Sequence, residues 1–421
     1  MRLDHRRERS TGSARWDLSM SLDGNGRTKP FPVEFDQGLV ADAATLTSWM
    51  RQAALPVWCT LGQTAAGAFE ERLGQDGRRI SEPRRARVQA RQLYVFAEAG
   101  RCGWCGPWRP AVEAGLGQLR NAWLRSDGLM RTRLSCDGET LDETAYVYDQ
   151  AFLLLALASV SHAFGSAAFE ADAVAVRDRL WATADIHGGI REAGDHPHQS
   201  NAHMHLLEAS LAWEEAGGSP GWRLLSDKIV SLARNRFIDP DGGFIREFFD
   251  ANWSPARGED GRLVEPGHQF EWSWLLARYA HARADEDALN DAWRLYAYGL
   301  KGVDAKRFVA VDQMNDDGRI RRPHSRLWPQ TEWLKASMVL ASLCDDDRRR
   351  TYLEQAGRAL RAVLGYLTPQ GLWRDNGLET GGFIDEPAPA SSLYHIMASY
   401  LQTRETLRGE GDRLVRAFEL E

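Results

Sequence analysis

Residues 266–276 read PGHQFEWSWLL. Pro266 and Gly267 precede an apolar run in which Trp272, Leu275, Leu276 and Tyr279 recur at helical spacing, which predicts a helix starting here. His268 and Glu271 are three residues apart and share one face of its first turn, so a proton-transfer group and a carboxylate stand together at a helix end. A single pair of this kind is ordinary surface or capping chemistry. Its recurrence along the chain is what carries meaning.

Working outward, most long segments carry apolar residues at i, i+3, i+4 and i+7, and few alternate as strands do. Short Gly-centred segments interrupt them: SDGLMRTR at Ser126, IHGGIREA at Ile186, DPDGGFIREF at Asp239, NDDGRIRRP at Asn315 and TPQGLWRDN at Thr368. From Gly128 to Gly189, Gly243, Gly318 and Gly371 the steps are 61, 54, 75 and 53 residues, about one helix pair each. Every segment has turn chemistry followed by a few extended residues, the pattern of a short hairpin.

An apolar helix follows each hairpin: DETAYVYDQAFLLLALA, NAHMHLLEASLAWEEA, PGHQFEWSWLLARYAHA, WPQTEWLKASMVLASL and SSLYHIMASYLQTR. ARVQARQLYVFAEAGR precedes the first and makes six. More charged helices alternate with these, as at residues 173–182 and 348–364. The expectation is an all-α, single (α/α)6 barrel with short β-hairpins between helices, an inner ring wrapped by an outer one. An open solenoid would bury the same faces without bringing the ends together. No Pro/Gly/Ser-rich linker divides the chain, so residues 35–421 are expected to form one catalytic domain.

The composition fits an ordinary globular protein: of 421 residues 43% are hydrophobic and 26% charged. The net charge of −7 gives no basic field for nucleic acid. No apolar run approaches the roughly 18 residues of a membrane span, since Ala151 to Val160 is too short. Residues 1–34 hold Arg2, Arg6, Arg7, Arg9 and Arg15 with no apolar segment behind them and read as a disordered extension, with Met20 an alternative start. A cytoplasmic protein is expected, without nucleic-acid or membrane partners and as a monomer or homodimer. Cys102 and Cys105 form the only close cysteine pair and lack a second ligand pair, so they read as reduced thiols in a turn.

Polar residues able to do chemistry cluster at the starts of the apolar helices: Arg91, Tyr148 with Asp149, Asn201 with His205 and Glu208, His268 with Glu271, Gln330 with Glu332, and His395. Asn201, His205 and Glu208 follow i,i+4 and i,i+3 spacing and point one way. In a toroid all inner helices start at one end, so these groups would line one funnel-shaped pocket. Taken singly, each could be a helix cap, a core histidine or half of an ion pair. Gathered at the same helix position, so many buried titratable groups point to function.

These stretches resemble the N-acylglucosamine 2-epimerase superfamily, sugar epimerases and ketose-aldose isomerases built on an (α/α)6 barrel. The likeness rests on RQLYVFA at Arg91, YDQAF at Tyr148, NAHMHLLEA at Asn201, PGHQFEWSWLL at Pro266, WPQTEWLKA at Trp328 and SSLYHI at Ser391. It covers the chain from about Phe35 onward. The resemblance implies that His268 and His395 are the acid/base pair, with Glu271 orienting the site and Arg91 binding the reacting oxygens. It places His205 close to the sugar, matches Asn201, Tyr148 and Trp328 to sugar-contacting positions, and groups Glu208 with them. PASSLYH and WPQTE are most similar to the D-mannose isomerase branch, which implies interconversion of D-mannose and D-fructose without cofactor or metal. PAPASS at residues 387–392 stands where disaccharide-acting members have a tryptophan, which points to a monosaccharide.

The residue types suit that chemistry. Histidine, with a pKa near 6.5, can take a proton from the carbon beside a sugar carbonyl, and an arginine can hold the resulting enediolate. The absence of a phosphate-cradling glycine loop or a Lys/Arg cluster points to an uncharged sugar. Other readings are a 2-epimerase using the same histidines, and an isomerase of a sulfonated sugar held by Arg246 and Arg326. An inverting glycoside hydrolase would use Glu271 and Glu332. A metal isomerase would use His203, His205 and Glu208, although two histidines at i,i+2 diverge on a helix.

Overall fold

The computed structural model describes residues 37–408. The extension expected over residues 1–34 lies outside them, and the described residues belong to one compact unit that begins at Phe35. In chain order the described α-helices are α1 Gln37–Trp49, α2 Leu55–Thr60, α3 Ala86–Arg101, α4 Trp108–Gln118, α5 Val147–Phe164, α6 Glu170–Trp181 and α7 Ser200–Glu215. They continue with α8 Pro220–Leu232, α9 Pro266–Arg283, α10 Glu286–Gly299, α11 Leu327–Ser342, α12 Asp346–Tyr366 and α13 Ser391–Arg408. The described strands are only two or three residues long, so helices carry the architecture.

The helices α3, α5, α7, α9, α11 and α13 each pack against the next, and α13 returns to α3, which closes a ring. Outside it, α4, α6, α8, α10 and α12 pack on the inner helices, and α1 covers α12 and α13. This is the (α/α)6 barrel. Closure, which excludes the open solenoid, is reinforced where Arg72–Leu73 pairs antiparallel with Ala388–Pro389. Trp58 adds to it by stacking on Trp373 at 4.9 Å and donating from Nε1 to the Gly371 carbonyl at 3.1 Å.

Inner helices are apolar on all sides because they are wrapped on all sides. By length and composition α5 would suffice to cross a membrane, contrary to the expectation that no apolar run comes near that length. The polar positions of Tyr148 and Asp149 had hidden its extent. Most of it is buried inside the barrel, where Asp149 turns away to pair with Arg87 at 2.8 Å. Cys102 and Cys105 are free thiols, as expected.

The repeat is more regular than the glycine spacing suggested. A residue with positive φ closes the same tight turn six times: Gly67 (92°), Gly128 (80°), Gly188 (82°), Gly243 (66°), Phe308 (54°) and Gly371 (80°). Their intervals are 61, 60, 55, 65 and 63 residues. Gly188 thus replaces Gly189 as an anchor, and Phe308 replaces Gly318, whose turn belongs to a separate loop. Glycine suits the left-handed backbone because it has no Cβ. At Gly371 a Cβ would also lie 2.5 Å from the backbone of Ala53.

Two residues beyond each turn stands a buried apolar residue whose backbone is clamped by the fourth residue of an inner helix. Gln89 accepts from the Phe69 N–H and donates to its carbonyl, and Gln150, Gln269 and Gln330 do the same for Met130, Ile245 and Ala310, all at 2.8–2.9 Å. On α7 the clamp is His203, which accepts from the Ile190 N–H at 2.9 Å. The Trp373 carbonyl instead accepts from Gln75. A buried backbone group left without a partner costs roughly 1–3 kcal/mol, so these clamps hold the hairpins in place over the barrel end.

Four residues beyond each turn come Glu71, Thr132, Glu192, Glu247, Asp312 and Asp375. They form a ring around the helix starts. The carbonyls of Thr132, Glu247, Asp375 and Glu71 accept from the N–H groups of Ala86, Ser200, Leu327 and Ala390 at 2.8–3.2 Å. The Glu192 carboxylate accepts from Val147 and Tyr148 at 2.7 and 2.9 Å. At α9 the first residue is Pro266, which has no N–H to give.

Candidate active site

Because every inner helix begins at the same end, the hairpins and first turns enclose one cavity of about 340 Å³. Arg91, Tyr148, Asn201, His205, His268, Glu271, Trp328 and His395 all line it. Eight of the nine expected residues therefore converge. The ninth, Glu208, lies beneath the floor, buried and bonded to His205. A larger groove of about 500 Å³ on the outer surface runs past Asp227, Arg234, Asp291 and Arg294; Arg234 is tied to Asp285, Asp287 and Asp291, Arg294 to Asp291, and the groove holds no histidine.

The residues of the cavity floor and those beneath it follow helical phase. The sixth and ninth residues of an inner helix face the axis one turn apart, giving Arg91 and Tyr94 on α3, His205 and Glu208 on α7, Glu271 and Trp274 on α9, and Glu332 and Lys335 on α11.

His268 Nδ1 lies 2.7 Å from Glu247 Oε2 and 3.6 Å from Glu265 Oε2. Burial alone would depress its pKa, but the charges of Glu247 and Glu265 and the Glu247 hydrogen bond outweigh it and push it up to about 10. His268 is an imidazolium at neutral pH. Glu265 is itself raised by burial and by the neighbouring Glu247 charge, against His268 and Arg326.

His395 is tuned the other way. Its Nδ1 lies 2.8 Å from Glu332 Oε1, whose other oxygen is 2.6 Å from the wholly buried Lys335 ammonium. Burial, then the positive charges of Arg91 and Lys335, hold its pKa well below the ordinary histidine value, so it is neutral. Trp328 spans the two histidines, with ring centroids 4.9 Å from His268 and 5.7 Å from His395.

Beneath them, His205 Nδ1 lies 3.1 Å from Glu208 Oε2 and 3.9 Å from Glu271 Oε1, and the Tyr394 hydroxyl donates to Glu208. Burial would raise Glu208, but His205 and Lys335 lower it. Arg91 donates from Nη2 to the Tyr148 hydroxyl at 2.7 Å and lies 4.1 Å over the Phe152 ring. Among the described residues it has no carboxylate partner, so its charge is available to the cavity. Asn201 Oδ1 is buried without a hydrogen-bond partner among the described residues.

Two ligand-like clusters occur here, His205 with Glu208 and Glu271, and Glu271 with Glu332 and His395. The Lys335 ammonium, 2.6 Å from Glu332 and 4.0 Å from Glu271, already supplies the positive charge that a metal would bring. His203 is spent on its hairpin clamp and is absent from the cavity. Glu332 stands behind His395 and does not line the cavity, so the pair expected for a hydrolase, Glu271 with Glu332, is not presented there. Nor are the two arginines expected to hold a sulfonate free: Arg326 is tied to Asp312 and lies 3.5 Å from Glu265, and Arg246 is held by Asp239 and Asp316 outside the cavity.

Sequence reasoning missed Glu247, Glu265, Asp375 and Lys335. A signal for two of them existed. IRE at residues 190–192 recurs as IRE at 245–247 and as WRD at 373–375, each at the same distance from its turn glycine. Lys335 is the ninth residue of its helix, the position held by Glu208 on α7.

A family model described as N-acylglucosamine 2-epimerase (GlcNAc 2-epimerase) matches residues 67–399. The chain is 41% identical over 379 residues to a protein of Rhizobium meliloti (strain 1021) named mannose-6-phosphate isomerase, covering 87% of this chain and 97% of that one. It is 28% identical over 270 residues to a D-mannose isomerase of Thermobifida fusca, covering 58% of this chain and 64% of the relative. Among solved structures, the cellobiose 2-epimerase of Spirochaeta thermophila DSM 6192 superposes with a TM-score of 0.80 at 20% identity, over 89% of this chain and 99% of that chain.

Proposed function

This chain belongs to the N-acylglucosamine 2-epimerase family, a family of sugar isomerases and epimerases, and on that premise we propose that it interconverts D-mannose and D-fructose without a cofactor. The observation that carries this reading is the opposite tuning of two histidines in one cavity. One is held charged by Glu247 and the other is kept neutral beside Lys335.

In the proposed mechanism the sugar ring opens with C1 and C2 between His268 and His395. With Glu332 accepting from Nδ1–H, the Nε2 lone pair of His395 takes the proton from C2. The electron pair moves to O1, giving an enediolate, and His268 donates a proton to O1. Arg91 holds the developing oxygen charge in a site with little water. The O2 proton passes back to His268 with Glu271 beside it, and His395 returns its proton to C1. The net change moves one hydrogen from C2 to C1 and one proton from O2 to O1, which balances mannose against fructose.

Two other outcomes have specific support. The family description favours return of the proton to the opposite face of C2, which is 2-epimerisation. The name of the Rhizobium relative favours a phosphorylated sugar. Against the latter, Arg326 is paired with Asp312 and Glu265, and Arg91 is assigned to the reacting oxygens. Proton NMR with D-mannose in heavy water tests the reading. Fructose as the first product, with deuterium entering the sugar, supports it; glucose first makes the enzyme a 2-epimerase; and turnover of mannose 6-phosphate alone overturns the uncharged substrate.

A further inference from the structure

The six positions four residues beyond each turn form one equivalent set, and comparing them singles out one member. Glu71 is bound by Arg85 and Glu192 by the first amides of α5. Glu247 is bound by His268, and Asp312 by Arg322 and Arg326. Thr132 carries no charge. Five of the six are buried; Asp375 is the only one left partly open, and it lines the cavity.

Asp375 is also the carboxylate whose partners are fewest. Its Oδ1 accepts from the Ser392 hydroxyl at 2.6 Å, and its backbone carbonyl caps α11 through Leu327. Its Oδ2 has no hydrogen-bond partner among the described residues. Ser392 stands one turn before His395 on α13, so Asp375 sits on the cavity wall one turn outward from the proposed base. A carboxylate oxygen facing a small polar cavity accepts hydroxyl protons. Glu386 and Asp312 are its neighbouring acids, Glu265 and Glu247 line the same cavity, and the nearby guanidinium of Arg326 is already paired with Asp312.

We propose that Asp375 is a specificity-determining residue: its free oxygen receives a hydroxyl of the open-chain sugar beyond C2, and its charge bars a phosphate or sulfonate from that end of the cavity. This deepens the isomerase reading and rests on it for the placement of C1 and C2. Hydroxyl recognition also explains how an acidic mouth can suit a sugar. Each added anion would meet like charge, whereas each hydroxyl meets an acceptor.

The experiment compares the full chain with its Asp375→Asn and Asp375→Ala variants and with Ser392→Ala as a neighbour control. Calorimetry measures binding of two unreactive linear ligands, mannitol and mannitol 6-phosphate, and steady-state kinetics measure mannose and mannose 6-phosphate. The full chain should bind mannitol more tightly than its phosphate, by about 10-fold or more if like-charge repulsion acts. Asp375→Asn should weaken mannitol binding, raise KM for mannose and narrow the gap to the phosphorylated ligand, while Asp375→Ala weakens mannitol further. Equal mannitol affinity in the full chain and Asp375→Asn, tighter binding of the phosphate by the full chain, or binding of neither ligand overturns the proposal whatever the turnover shows. If the ligands behave as expected but no sugar is isomerised, the isomerase reading fails and the recognition stands.

Discussion

Glu247 Oε2 lies 2.7 Å from His268 Nδ1, although 21 residues separate them and Glu271 is only three residues away along the same helix. The nearer carboxylate turns to the barrel axis, 4.0 Å from Lys335, and the farther one takes the imidazole. His268 therefore owes more of its charge to a hairpin carboxylate than to Glu265 or Glu271 of its own helix.

Replacing Glu247 tests that dependence. His268 must carry its proton to act as the acid, so activity should persist until pH rises through the pKa that Glu247 helps hold at about 10. In Glu247→Gln the attraction is lost while Glu265 and Glu271 still face the ring. The alkaline limb of kcat/KM should then move toward the ordinary histidine value near 6.5, and kcat should fall by about 10²-fold or more. A variant with reduced kcat but an unmoved alkaline limb would make Glu247 merely structural.

His203 and His205 stand two residues apart and should respond oppositely. His203→Gln restores the residue that four other inner helices use for the same clamp, and turnover should stay within about 3-fold of the parent because the altered group touches only the hairpin. His205→Gln replaces a cavity residue bonded to Glu208 and should lower kcat/KM by about 10²-fold. Equal losses in the two would contradict the clamp assignment.

Lys335 is fully buried among Glu332, Glu271 and Glu208. Lys335→Met leaves those acids uncompensated and should destabilise the fold by about 3–5 kcal/mol, read as a lower midpoint in urea. Adding Glu332→Gln should return part of that loss, because one of the unpaired charges is then gone. A double variant no more stable than Lys335→Met would argue that the ammonium is not compensating Glu332.

Exhaustive EDTA treatment should leave kcat/KM for mannose unchanged, because the charge between Glu332 and Glu271 is supplied by a side chain. Activity lost to chelation and restored by a divalent cation would show that one of the ligand-like clusters holds a metal after all.

The inner helices were legible because wrapping on all sides demands apolar residues at every phase, a signal local in sequence. The turns were legible for a related reason: left-handed backbone selects glycine. Phe308 escaped notice because an aromatic residue occupies that conformation, and Gly318 drew attention because it makes a turn elsewhere. Eight cavity residues were found because position on a helix fixes the direction of a side chain once the helix end is known.

Glu247, Asp375 and Lys335 were not found, and the reason is physical. A carboxylate on a hairpin or a lysine inside a helix looks the same in the chain whether it faces water or a buried ion. Its partner is chosen by ring closure, which sets Glu247 against His268 and Lys335 against Glu332 across distances the local pattern does not encode. Sequence alone thus determined the helices, their turns and which end bears the chemistry, all consequences of short-range periodicity. Which histidine is charged, which is neutral and which carboxylate is left open to a ligand were decided only when the barrel closed, because burial and through-space charge depend on neighbours that the chain order does not supply.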